Sequence, residues 1–288
     1  MTKKLVYFFG AGHAEGKGDM KELLGGKGAG LAEMTSIGLP VPAGFTITAE
    51  VCDHYYKNAK SYPPGFREEV RKNLESLERL VGKKLGDPQD PLLVSVRSGA
   101  SRSMPGMMET ILNLGLNDSS VQGLAKKTSN RRFALDAYRR FITMYGSTAM
   151  GVARRFFDEE FDDIKERKTR ARLGVRSAHV LDTDVNEEEL DSLIPRLKEV
   201  YSRHTKKDFP QAPEEQLWGA IEAVIGSWMA EKAVTYRRVE KITGLLGTAV
   251  NIVQMVFGNM GDSSGTGVCF TRDPNTGADD FYGDILMN

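Results

Sequence analysis

The sequence predicts an α+β protein in which a block of helices separates two strand-bearing units. Three observations carry that expectation. Apolar residues alternate over Leu92–Arg97 and crowd together over Ala249–Phe257, as they do in half-buried and central strands. Between residues 119 and 245 strand signals give way to at least four amphipathic helical patterns. At 288 residues the chain also exceeds what one hydrophobic core usually supports. The expected units are 1–116 (α+β), 117–212 (an inserted helical unit) and 213–288 (return helices and a second α+β unit).

Taken in order, Leu5–Phe9 reads as a short edge strand, followed by a polar turn over Gly10–Gly18. Gly25 and Gly26 precede Lys27, and Leu31, Ala32 and Met34 begin a helix just after it. A lysine at such a glycine-rich start adds a mobile charge to the positive end of the helix dipole. The alternative is a plain turn with an exposed lysine. It is not a P-loop, because the leading glycine and the Ser/Thr after Gly-Lys are missing. Gly38–Thr48 is a turn entering a strand, with Phe45 and Ile47 alternating, and Glu50–Lys57 is helical. Phe66, Val70, Leu74, Leu77 and Val81 keep helical spacing and predict a surface helix over Phe66–Lys84, stopped by Gly86–Pro91.

The next strand, Leu92–Arg97, puts Leu93, Ser95 and Arg97 on one face and Leu92, Val94 and Val96 on the other. An arginine ending a strand suits an anion held where the strand opens into a loop. The loop follows with Ser98, Gly99, Ala100, Ser101, Ser103 and Gly106, small residues that let backbone N–H groups approach a ligand. In the helical block Phe133, Ala137, Phe141 and Tyr145 line one face, and Leu190, Leu193, Ile194, Leu197 and Tyr201 another, with Asn186 and Glu189 as a capping box. Leu217, Trp218, Ile221, Val224, Ile225 and Trp228 line a third; such stripes read as core. After Ala249–Phe257, a small-residue loop leads to a strand that runs into a turn at Asp273–Gly277.

Composition excludes some classes. Thirty-nine basic residues balance 39 acidic ones, so overall charge argues for neither nucleic acid nor membrane. The basic run Lys165–Arg176 lacks interleaved aromatics and reads as a solvated helix end and loop. No apolar run reaches transmembrane length and the N-terminus lacks a signal-peptide core. Cys52 and Cys269 read as buried free thiols, which fits a reducing cytoplasm. His13, His54, His179 and His204 are scattered, so no nucleophile or general base is evident.

Lys27, Arg97, the hydroxyls and backbone of Ser98–Thr110 and the Gly265–Gly267 loop together suit a polyphosphate. From residues alone the ligand is a nucleotide or a sugar phosphate, with a purely structural role for these loops as the alternative. Glu109 and Asp273 could hold magnesium, but single carboxylates beside glycine are more often turn residues.

Several segments, ELLGGKGAGLAEM, GLPVPAGFTIT, PLLVSVRSGASRSMPGMMETILNLGLND, RFALDAYRRFI, GTAVNIVQMVFGN and SGTGVCFTRDPNTG, closely resemble the nucleotide-binding region of the pyruvate, phosphate dikinases. The related phosphoenolpyruvate synthases carry a more acidic loop after the strand, so SGASRSMPGMMET points to the dikinase branch. The resemblance implies an ATP-grasp fold with an inserted helical subdomain. It implies Lys27 and Arg97 as catalytic side chains on the ATP phosphates, and Gly106–Thr110, including Met107, as a lid loop over them. Arg140 corresponds to a further family arginine, and the strand around Val253 and Met255 to backbone contacts with adenine. Relatives often have Gln where this chain has Val253. Mg2+ is implied as well, with its ligands expected beyond Asn288, as are the pyruvate-binding domain and the carrier histidine that becomes phosphohistidine. None of the four histidines here has the motif of that carrier, so these 288 residues alone are expected not to make phosphoenolpyruvate.

Overall fold

The computed structural model describes residues 3–173 and 180–288. Its centre is an antiparallel sheet. The strands are β1 (Val6–Gly10), β2 (His13–Ala14), β3 (Gly44–Ile47), β4 (Val94–Gly99), β5 (Thr110–Leu114) and β6 (Ala249–Gln254), in the order β2–β1–β3–β6–β4–β5. Strand β1 is therefore not the edge; the two-residue β2 is. Strand β5 was not anticipated, because its five residues follow directly on the loop. A register shift between Val94 and Val96 marks a bulge against β5, where Asn113 takes a left-handed φ of 61°.

The sequence places β6 with the unit from 213 onward, yet it is threaded between β3 and β4 of the first sheet. The reason is visible in the register. Phe45, Ile252, Val96 and Ile111 form one row across four strands, and each is 0% exposed. Burying each of these side chains is worth about 1.5–3 kcal/mol, so a strand this apolar is stable only with a neighbour on both sides. The adjacent row on the opposite face is polar and runs Thr46, Asn251, Arg97, Thr110.

Helix α1 (Lys21–Ser36) crosses that polar face, with Gly28 against Thr46 and Asn251. It begins well before Leu31 but breaks at Gly25 (φ 70°, ψ 167°), so the helix proper restarts at Gly26. Helices α2 (Ala49–Lys57) and α3 (Phe66–Val81) follow. The latter stops three residues earlier than its spacing predicts, because Gly82 adopts φ 68°.

The helical block comprises α4 (Ser120–Thr128), α5 (Arg131–Met144), α6 (Arg155–Leu173), α7 (Glu187–Thr205), α8 (Pro213–Ser227) and α9 (Glu231–Val239). The capping box of α7 is formed as expected: Asn186 Oδ1 accepts from Glu189 N at 2.9 Å, and Asn186 N donates to Glu189 Oε2 at 2.8 Å. Phe209 is the hub of this block, ringed by Tyr138, Phe141, Tyr145 and Tyr201. Helix α8 returns to pack on β4, β5 and β6. The chain then forms a separate ribbon of β7 (Gly265–Phe270) and β8 (Tyr282–Met287), the second of which the sequence did not signal. Every residue of both strands is exposed, including Val268, Ile285 and Leu286. Cys52 is buried, but Cys269, on this ribbon, is exposed rather than buried. Among the described residues no helix is long and apolar enough to cross a membrane.

Candidate functional site

The break at Gly25 decides where Lys27 stands. After a glycine at φ 70°, the restarted helix has Gly26 and Lys27 in its first turn, at the positive end of its dipole. A side chain at residue 25 is ruled out by space as well: a Cβ there would lie 1.7 Å from the carbonyl oxygen of Gly99. Gly26 N also donates to Ala100 O at 3.0 Å. The helix start is thus fixed against the end of β4, and Arg97, the exposed residue near that end, comes to share a cleft with Lys27.

The cleft encloses about 480 Å³ and is lined by Lys27, Ser95, Arg97, Asn251, Val253 and Met255, among others. That volume falls within the range of small-ligand sites. Among the described residues neither Lys27 nor Arg97 forms an ion pair, in a protein whose other cations are widely paired. Burial, and then the neighbouring Arg97 guanidinium, hold the Lys27 ammonium below its ordinary value of 10.5. Lys27 as a whole is exposed, so the effect belongs to the protein packed around it rather than to full enclosure. Two like charges held together without a counter-ion are an unfavourable pair that an anion would relieve.

Of the residues singled out from the sequence, Lys27, Arg97, Val253 and Met255 meet in this cleft. Thr110 is the cross-strand neighbour of Arg97 but does not line it. Gly106 (φ 72°) and Met107 sit in a turn closed by Met107 N donating to Met104 O at 3.1 Å, and they too lie outside the lining. Arg140 projects from α5, where its Nε donates to Asp136 at 2.7 Å, away from the cleft. Glu109 makes a long-range ion pair with Lys232 of α9 at 2.6 Å, whereas Asp273 has a turn role, accepting from the N–H groups of Asn275 and Thr276.

Sequence reasoning missed Asn251. Its signal was a polar residue on the buried side of an otherwise apolar strand. A second cleft, of about 640 Å³, shares residues 254–256 with the first; its lysines, Lys83 and Lys127, are both already paired with Asp90. In the basic run, Lys165 pairs with Asp162 and Asp182, Arg167 with Asp163, and Lys168 with Glu189, while 174–176 lie outside the described residues, as does His179.

A glycine-kinked helix and a strand end that bring two unpaired cations to one cleft define an α+β ligand-binding domain. Comparison makes the class specific. A family model described as "Pyruvate phosphate dikinase, AMP/ATP-binding domain" matches residues 21–78 and 59–286, and the chain belongs to that family. It is 51% identical over 287 residues to "Pyruvate, phosphate dikinase, chloroplastic" of Flaveria trinervia, covering 100% of this chain and 29% of that protein. It is also 51% identical over 285 residues to "Pyruvate, phosphate dikinase" of Rhizobium meliloti (strain 1021), covering 99% of this chain and 31% of that protein. With "Pyruvate, phosphate dikinase 1, chloroplastic" of Arabidopsis thaliana the identity is 51% over 288 residues, 100% of this chain and 29% of the relative. The chain therefore spans less than a third of the length of these relatives.

Proposed function

We propose that the cleft between α1 and the ends of β4 and β6 binds ATP, with its phosphates between Lys27 and Arg97. The observation that carries this is the pair of unpartnered cations, one of them already held below its ordinary value by burial and then by the other. Lysine supplies an adaptable point charge and arginine a fixed fork, a combination that suits transferring phosphoryl oxygens. Their role is positioning and charge neutralisation in an ATP-grasp-like arrangement, with 117–212 as the inserted helical subdomain. The adenine lies towards Val253 and Met255. Because Met255 N already donates to Leu93 O at 2.8 Å, the edge contacts fall to the backbone beyond the ladder, at the Met255 carbonyl and at Val256.

Gly106–Thr110 serves as a lid that approaches the cleft when ATP is bound, and Arg140 acts from the helical side. In the complete protein the β-phosphoryl group passes to a carrier histidine outside this chain and on to pyruvate, while phosphate accepts the γ-phosphoryl group. Magnesium accompanies ATP in such chemistry, but the cleft lining holds no carboxylate to bind it. The steps assigned to this chain need only its own cations.

Calorimetric titration with ATP tests the reading. Lys27→Ala and Arg97→Ala should each weaken binding about ten-fold or more, the worth of a charge-assisted hydrogen bond. Equal affinity in wild type and both variants would show that the phosphates lie elsewhere.

A further inference from the structure

Asn251 is the polar residue of the cleft that the two cations do not explain. It is 1% exposed, yet it stands in the row between Thr46 and Arg97 and lines the cleft beside Lys27. The Thr46 hydroxyl donates to its Oδ1 at 2.9 Å, which turns Nδ2 the other way. That nitrogen has no hydrogen-bond partner. Buried donors are almost always satisfied, and one that is not calls for an explanation. The surroundings have made room for the amide. A Cβ at Gly99 would come within 2.5 Å of Nδ2, and one at Gly28 within 2.9 Å of Oδ1. Two glycines, on the arginine-bearing strand and on the lysine-bearing helix, thus flank a carboxamide where valine or alanine would have met the needs of the sheet. Ala249 and Val253 fill the flanking positions on the same face of β6.

We propose that Asn251 is a third anion-binding group, its Nδ2 donating to a phosphoryl oxygen held between Lys27 and Arg97, directly or through one water. The proposal rests on the nucleotide reading given above. An uncharged donor has a distinct use here. It adds a directed positive dipole, oriented in advance by Thr46, without adding to the repulsion that already acts on Lys27. It also accounts for the glycine at 99, where a Cβ would meet Nδ2 first, while Gly28 makes room for Thr46 and Asn251 together.

The test separates phosphate from base by titrating the full chain with tripolyphosphate and, separately, with adenosine. Asn251→Leu keeps the shape and removes the donor; it should weaken tripolyphosphate about five-fold or more while adenosine affinity stays at the wild-type value, with the melting temperature lowered because the Thr46 hydroxyl loses its acceptor. Wild-type tripolyphosphate affinity in that variant overturns the proposal while leaving the nucleotide reading standing. If the leucine variant also loses adenosine, Asn251→Asp decides. Its carboxyl can donate only when protonated, so its tripolyphosphate affinity relative to wild type should recover as the pH is lowered from about 8 to about 5. A flat ratio overturns the proposal. Failure of Lys27→Ala to weaken tripolyphosphate sinks the nucleotide reading itself, and this inference with it.

Discussion

Replacing Gly25 by alanine isolates the contact on which the cleft depends. At φ 70° and ψ 167° this residue occupies a region open essentially to glycine, and forcing another residue there costs about 1–3 kcal/mol. Space adds a second penalty. The new Cβ would start 1.7 Å from Gly99 O, and contacts below 3.0 Å are essentially never seen, so the two backbones must part by at least 1.3 Å (3.0 minus 1.7). That movement breaks the 3.0 Å bond from Gly26 N to Ala100 O, worth about 1 kcal/mol. The sum is about 2–4 kcal/mol, a large share of the roughly 5–15 kcal/mol available to a domain. Urea unfolding would read the loss, and calorimetry should find ATP binding weakened because Lys27 has moved away from Arg97. Gly30→Ala in the same helix is the control. Nothing lies within 4 Å of its Cβ, and it should be neutral or stabilising by up to about 1 kcal/mol. A Gly25→Ala variant within about 0.5 kcal/mol of wild type would refute the account of this contact.

Four further outcomes are expected of the same structure. Lys27 binds phosphate only when charged, so ATP affinity should be full below its lowered pKa and decline as the pH rises through it, earlier than for a lysine at 10.5; Lys27→Arg should remove that decline in a pH series of titrations. Over the same window the unfolded chain holds the extra proton, so the stability of the unliganded protein should rise with pH, as unfolding at several pH values would show. Asp136→Ala should destabilise the protein by about 1–3 kcal/mol, because Arg139, whose buried guanidinium lies 2.7 Å from that carboxylate and over Phe161, is left with only a longer 3.8 Å contact to Asp182. Lys232→Ala should release Glu109 and speed hydrogen exchange in the 100–109 loop while changing global stability by no more than about 1 kcal/mol.

The helices were legible because their signals are local. The capping box at Asn186 and Glu189 and the stripe from Phe133 to Tyr145 each lie within a few turns of chain, and both are realised. Lys27 and Arg97 could be singled out for the same reason, since each sits beside its own glycines. What escaped was set by strand order. Asn251 has meaning only beside Thr46 and Arg97, residues 205 and 154 positions away, and no local pattern announces that these strands are neighbours. The start of α1 was misplaced because GGKGAG reads equally as a turn or a helix. The clash of Gly25 with Gly99, which decides the matter, is a tertiary fact. Strand β5 was hidden by its bulge, where Asn113 breaks the alternation.

The position of β6 also has a consequence for the order in which the protein comes into being. Strands β3 and β4 leave the ribosome long before residue 249, and until β6 arrives they have no partner between them. The whole helical block must be synthesised, and is free to form by its own local contacts, while the sheet waits with two bare edges. Closing the sheet joins segments far apart in the chain, the slow kind of step in folding. Insertion of Ala249–Gln254 is then the event that brings Asn251 beneath Lys27 and beside Arg97. A nascent chain lacking that strand has no cleft to offer a nucleotide, so ligand cannot rescue it. The exposed edges of β3 and β4 are where aggregation or chaperone capture should begin.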